Sequence, residues 1–281
     1  MVLDLSRTDE MDSRAWLLIT LACYALGGLH ALLYALLRRS VLTTVSLTAT
    51  LLGFAFHTAA LALRWSEAGH FPALGVRDGA SLLAWGIVLV FLIVYVTTRV
   101  DAAGVFAYPF AFSLVFLANL SPATERADPV LRSLYLPIHV FLAVFGYGAL
   151  FVAFSMGMLY LFQEQELRSR SPRRFYYLTP SLERSDTIGG RSVLGGFGFL
   201  TLAILTGFLW NRSLTGHFWT GDPKEWAGLS AWSIYVVILL ARWRGRWGGR
   251  RAAWLAIAGF AVVVFTFAWA TLGPGVVVAA R

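Results

Sequence analysis

The feature that most constrains this chain is a succession of apolar runs, each near the length of about 20 residues that carries a helix across a bilayer. They read as eight spans: 15–37, 41–63, 79–98, 103–120, 133–162, 192–211, 226–241 and 252–273. A backbone in lipid must satisfy its own polar groups, so a span is either a helix or a strand of a closed barrel. The runs lack the alternation over about 10 residues that marks a barrel strand. The expected fold is therefore all-α, a polytopic integral membrane protein with aromatic-rich external loops. Only 14% of residues are charged, against roughly 25% in soluble domains, which agrees. No internal repeat or low-complexity tract interrupts the pattern, so residues 1–281 read as one transmembrane domain. Residues 1–14 are acidic and no small-residue cleavage site follows the first run. That run is expected to be a retained span with an external tail before it.

The basic residues suggest an orientation. Fourteen of the 23 Lys and Arg fall in one set of loops, among them Arg38, Arg39, Arg99, Arg168, Arg184, Arg191, Arg242 and Arg251. Nine fall on the other side, including Arg14, Arg64, Arg77, Arg212 and Lys224. Positive charge collects in the cytoplasm, which predicts a plasma (inner) membrane protein with both termini outside. Residues 164–191 become the sizeable cytoplasmic connector. Its basic and aromatic residues suit an anionic leaflet, with partner docking as the other use. The net charge of +8 is thus a matter of topology, and nucleic acid is not expected as a partner.

Few residues can carry chemistry. The lone cysteine, Cys23, lies in the first span and reads as a small buried hydrophobe. Glycines at 195, 196 and 198 lie within a span and read as a helix-packing surface. No hydrolase or phosphate-loop constellation is present, so the chain is not expected to be an enzyme. His57 sits deep in span two, in Gly53-Phe54-Ala55-Phe56-His57-Thr58. There it is either a neutral histidine bonded to a neighbouring helix or a ligand or proton relay. His30 in span one poses the same choice, with the structural reading favoured. His139 follows Pro137-Ile138 at the start of span five. It is either an interfacial polar residue or a haem-iron ligand whose second ring nitrogen is held by a backbone carbonyl.

Two external loops add aromatic and turn residues. One runs from Arg64 and Trp65 through Gly69-His70-Phe71-Pro72. The other, 211–226, holds Arg212, His217, Phe218, Trp219 and the turn Gly221-Asp222-Pro223-Lys224-Glu225. Interfacial tryptophan is ordinary; a Gly-Asp-Pro-Lys-Glu turn bracketed by aromatics is not. Lys224 is the only lysine in the chain. With Arg212 it can bind carboxylates such as haem propionates, and the rings can cover a flat macrocycle.

These segments, with Ser81-Leu82-Leu83-Ala84-Trp85, Leu178-Thr179-Pro180-Ser181-Leu182-Glu183 and Trp232-Ser233-Ile234-Tyr235, resemble the cytochrome c assembly family of integral membrane proteins, the CcsA/ResC/CcmC type. The likeness covers roughly residues 40–270. It implies a platform for haem at the external surface, formed by a tryptophan-rich loop, for attachment to an apocytochrome or transfer to an assembly partner. By position His139 matches a surface iron ligand and His57 a membrane ligand. Trp219, Asp222, Pro223, Lys224 and Glu225 match the loop. The chain departs from that pattern at Thr215 and Gly221, where the family loop has tryptophan. It departs again at Leu240, where a histidine is usual, and no histidine follows His217. His217 is the candidate replacement ligand. The resemblance also admits a HemX-type regulator of haem synthesis, or a haem-free structural subunit of a membrane complex.

Overall fold

The structure is a computed structural model that describes residues 5–73, 75–123, 133–169, 179–245 and 248–272. These residues form eight α-helices: α1 (Leu5–Leu37), α2 (Ser40–Ala68), α3 (Gly75–Thr98), α4 (Gly104–Leu120), α5 (Tyr135–Arg168), α6 (Leu182–Thr215), α7 (Pro223–Trp243) and α8 (Arg250–Leu272). A single 3-10 turn, Asp101–Ala103, precedes α4. Each helix contains a stretch long and apolar enough to cross a membrane, and the described residues contain no strand. The chain is an all-helical, multi-pass membrane protein, as its apolar runs require.

Every expected span falls on one helix, but the ends move. α1 begins at Leu5, ten residues before the expected span, so much of the expected 1–14 tail is helical. α6 begins at Leu182, within the expected 164–191 connector, and α5 runs on to Arg168 at its other side. The physical reason is that Arg, Glu and Gln propagate a helix well while contributing nothing to hydropathy. Ser181 starts α6 by accepting a hydrogen bond from the Arg184 N–H (3.3 Å). The remainder of the connector, 170–178, lies outside the described residues.

The described helices gather into two compact units. The first holds α1, α2, α4 and α3 up to Leu89. Here α1 and α2 approach closely through glycine. A Cβ on Gly53 would lie 2.8 Å from the Tyr24 ring, and one on Gly27 2.9 Å from Thr50 Oγ1. Small residues of this kind let membrane helices pack backbone to backbone. The Ser46 hydroxyl then donates across to the Gly27 carbonyl at 2.8 Å. Arg64, expected in an external loop, is instead buried in α2, where its Nε pairs with Asp78 Oδ1 of α3 at 3.4 Å. A charge that deep persists because it has a partner. Arg77 is likewise buried in α3, its Nη2 3.4 Å from the Ser13 hydroxyl. The Arg14 guanidinium, in α1, donates to the Asn119 carbonyl at 3.0 Å.

The second unit holds the end of α3, the 3-10 turn and α5 to α8. Helix α5 packs against both α6 and α8. A Cβ on Gly146 would meet α6 backbone at 3.3 Å, and one on Gly157 the Ala253 carbonyl of α8 at 2.9 Å. Of the expected glycine packing surface, Gly196 faces α5 whereas Gly195 and Gly198 face open space. At one end of α7 the Arg242 guanidinium grips Asp186 of α6, with bonds of 3.0 and 3.2 Å to the two carboxylate oxygens. Helix α7 presents Trp226 and Trp243 outward, 60% and 84% exposed. They stand roughly 26 Å apart at 1.5 Å per residue, close to the thickness between the aromatic belts of a bilayer.

Candidate functional site

The candidate site is built at one end of the second unit, where α5 starts, α6 ends and α7 starts. Helix α6 stops at Gly216, whose left-handed backbone (φ +79°) turns its N–H back to the Arg212 carbonyl at 3.0 Å. A second left-handed glycine, Gly221 (φ +78°), aims the chain into α7. Asp222 caps that helix, its carboxylate accepting from the Lys224 N–H at 2.8 Å, and Pro223 occupies the first turn. Glu225 then reaches backward. Its carboxylate accepts from the N–H of Gly221 (3.0 Å), from the N–H and hydroxyl of Thr220 (3.1 and 2.6 Å) and from the Asn211 amide of α6. The Asp-Pro-Lys-Glu turn is thus a variant capping box, and three of its four side chains are spent on shaping the loop. Lys224 is the exception: it is exposed and makes no ion pair among the described residues.

His139 lies near the start of α5, half-buried against α6. Its Nδ1–H donates to the Ala203 carbonyl at 2.7 Å. A carbonyl can only accept, so this bond fixes the tautomer and leaves the Nε2 lone pair free. The Trp210 ring stands 6.2 Å away, tilted by 42°. Beside His139 opens a cavity of about 320 Å³. Its walls are apolar at Ala143, Leu200, Ile204 and Phe208 and polar at Asn211, Asp222, Lys224 and Glu225. That volume falls at the small end of typical ligand sites.

The other sequence candidates are distributed unevenly. Trp219 packs edge-on against Trp226 (5.0 Å) and Phe208 (6.1 Å), holding the loop to its helices. Arg212 stacks over Phe218 at 4.6 Å, and His217 is exposed. Neither Arg212 nor His217 lines the cavity, so the structure brings His139, Asp222 and Lys224 together and leaves those two outside. His57 belongs to the first unit and is fully buried. Its Nδ1 meets the Tyr24 hydroxyl at 3.2 Å and its Nε2 the Ser81 hydroxyl at 2.9 Å, so both ring nitrogens are engaged. His30 turns its Nδ1–H onto the Leu26 carbonyl of its own helix at 2.8 Å.

The comparisons with known proteins bear on this geometry. A family model described as cytochrome C assembly protein matches residues 14–276. The chain belongs to the cytochrome c assembly protein family. It is 32% identical over 240 residues to the cytochrome c biogenesis protein CcsA of Prochlorococcus marinus (strain MIT 9313), covering 75% of this chain and 76% of that protein. CcsA of Microcystis aeruginosa (strain NIES-843 / IAM M-2473) is 31% identical over 254 residues, with 73% and 77% covered. CcsA of Synechococcus sp. (strain RCC307) is 31% identical over 232 residues, with 73% and 75% covered.

Two features of the family member's site were not reached from sequence. Asn211 ties the end of α6 to Glu225, and Ala203 orients His139 through its backbone. The first carries a partial signal, the Asp-x-x-Glu spacing of a capping box. For the second the sequence suggests a carbonyl partner but not which one, because a carbonyl acceptor has no side chain to read.

Proposed function

We infer that this cytochrome c assembly protein binds haem in the His139 cavity and presents it at the external membrane face. The observation that carries this reading is the His139 imidazole, held through Nδ1 with Nε2 uncommitted beside a cavity. His139 would hold haem iron through that nitrogen, with the Ala203 carbonyl already orienting the ring. Apolar walls suit a macrocycle, and the unpaired Lys224 ammonium suits a propionate carboxylate. Among the described residues no cluster of three or more His, Cys, Asp or Glu is arranged to hold a metal ion. Haem, when bound, supplies the cargo that assembly attaches to an apocytochrome; the chain's own residues bind and orient it, and none acts as a catalyst.

In this reading Trp219, Asp222 and Glu225 shape the platform, and Arg212 and His217 border it on the exposed side. His57 serves as a packed, hydrogen-bonded residue of the first unit. Arg242, Arg244, Arg246, Arg250 and Arg251 gather after the seventh apolar run, which favours the Arg242 end of the second unit as cytoplasmic. The His139 end then faces outward, both termini lie outside, and the membrane is the plasma (inner) membrane. An apocytochrome or its delivery protein would dock at that face.

The test is a visible spectrum of the detergent-purified protein after haem-replete expression, wild type beside His139→Ala. A Soret band that the variant loses is expected. A colourless wild type, or a band unchanged in His139→Ala, overturns the assignment.

A further inference from the structure

Helix α6 passes His139 at a glycine. A Cβ built on Gly207 would lie 3.2 Å from Cε1 and 3.3 Å from Nδ1 of the His139 ring. Those separations are tighter than ordinary van der Waals contact, so one of the two groups would have to give way. The ring cannot retreat without lengthening its 2.7 Å bond to the Ala203 carbonyl, one turn earlier on the same helix. The Thr206 hydroxyl already donates to that carbonyl as well, at 2.9 Å, so a loosened imidazole faces a ready competitor for its acceptor. Gly207 itself lines the cavity. Its missing side chain is therefore what lets the imidazole lie flat on α6 with Nδ1 bound.

The sequence makes this glycine conspicuous on energetic grounds. Within a helix glycine is less favourable than alanine by about 1 kcal/mol, and Gly207 lies inside α6, away from either cap. Its helix would be better formed with alanine. Gly195, on the same helix, has nothing within 4 Å of its Cβ position and so supplies an internal control for the helix effect alone.

We propose that Gly207 is the positioning residue for His139, holding the imidazole as the Nδ1–H tautomer with Nε2 directed to the ligand. This deepens the haem-binding reading and rests on it for the nature of the ligand.

Two readouts test it on the full chain in detergent. The first needs no haem: ¹⁵N-histidine NMR of the apoprotein, with the His139 signal assigned through His139→Gln. The wild type is expected to show the Nδ1–H tautomer for His139, and Gly207→Ala a mixture of tautomers. The second is haem titration, where Gly207→Ala is expected to bind about 10–100-fold more weakly, the loss typical when a ligand's outer-shell partner is removed. Gly195→Ala is expected to leave both readouts at wild-type values. A Gly207→Ala protein that keeps the tautomer and the affinity overturns the proposal, as does a Gly195→Ala protein that loses them equally. If the tautomer shifts in Gly207→Ala while the wild type takes up no haem, the positioning role stands and the haem reading falls.

Discussion

Two histidines, both placed in membrane-spanning helices, meet opposite treatment. His57 in the first unit is enclosed, with a hydroxyl on each ring nitrogen. His139 in the second unit has a backbone carbonyl on its Nδ1, and the residue lines a cavity. The imidazole is the same; the number of partners differs. A neutral imidazole has one N–H to donate and one lone pair to give. His57 uses both on its neighbours, so its work is to tie α1, α2 and α3 together. His139 uses only the N–H, and its lone pair remains for a ligand. A polar group in a membrane helix is thus a candidate site only when its hydrogen-bonding capacity is not already consumed.

Substitutions separate the two histidines. The largest effect is expected at His57→Ala, which leaves a void and strips the buried Tyr24 and Ser81 hydroxyls of their partner. A loss of about 3 kcal/mol or more is expected, read as a large fall in Tm in detergent. Haem bound per folded molecule should stay at the wild-type level. Next comes Glu225→Ala, which removes the acceptor for Asn211, Thr220 and Gly221. About 1–2 kcal/mol should go with the cap, visible as faster amide exchange confined to the loop and the first turn of α7. Lys224→Ala should leave Tm unchanged and weaken haem binding by about 1 kcal/mol, the scale of an exposed ion pair. The smallest effects belong to Arg212→Ala and His217→Ala, each expected within about 0.5 kcal/mol of wild type in both stability and haem titration. A large loss of haem at His217→Ala would show that the exposed side of the loop, and not the cavity, carries the ligand.

Much of this fold is legible in the sequence, because hydropathy alone marks a segment that lipid must surround. The helix ends are less so. Residues such as Glu183 and Arg184 extend α6 without adding apolar character, so a window of hydropathy stops short of them. The start of α7 is readable in Asp222, Pro223 and Glu225, whose types and spacing are those of a cap. Their functional weight is not, since the same three residues that suggest a platform are occupied with building it. The burial of Arg64 depends on Asp78, 14 positions later and on another helix. The roles of His57 and His139 depend on partners 24 to 64 positions away. Such pairings are set by which helix faces meet, and a periodic pattern constrains the faces of one helix without naming its neighbour.

In the proposed site the His139 imidazole, through its free nitrogen, holds the iron of bound haem. It is tested by chemical rescue of His139→Gly: the visible spectrum of the variant purified after haem-replete expression, recorded with and without added imidazole. The Soret band is expected to be lost in the variant and to return when imidazole fills the space left by the side chain. A band that persists in the variant without imidazole, at the wild-type position and intensity, would contradict it.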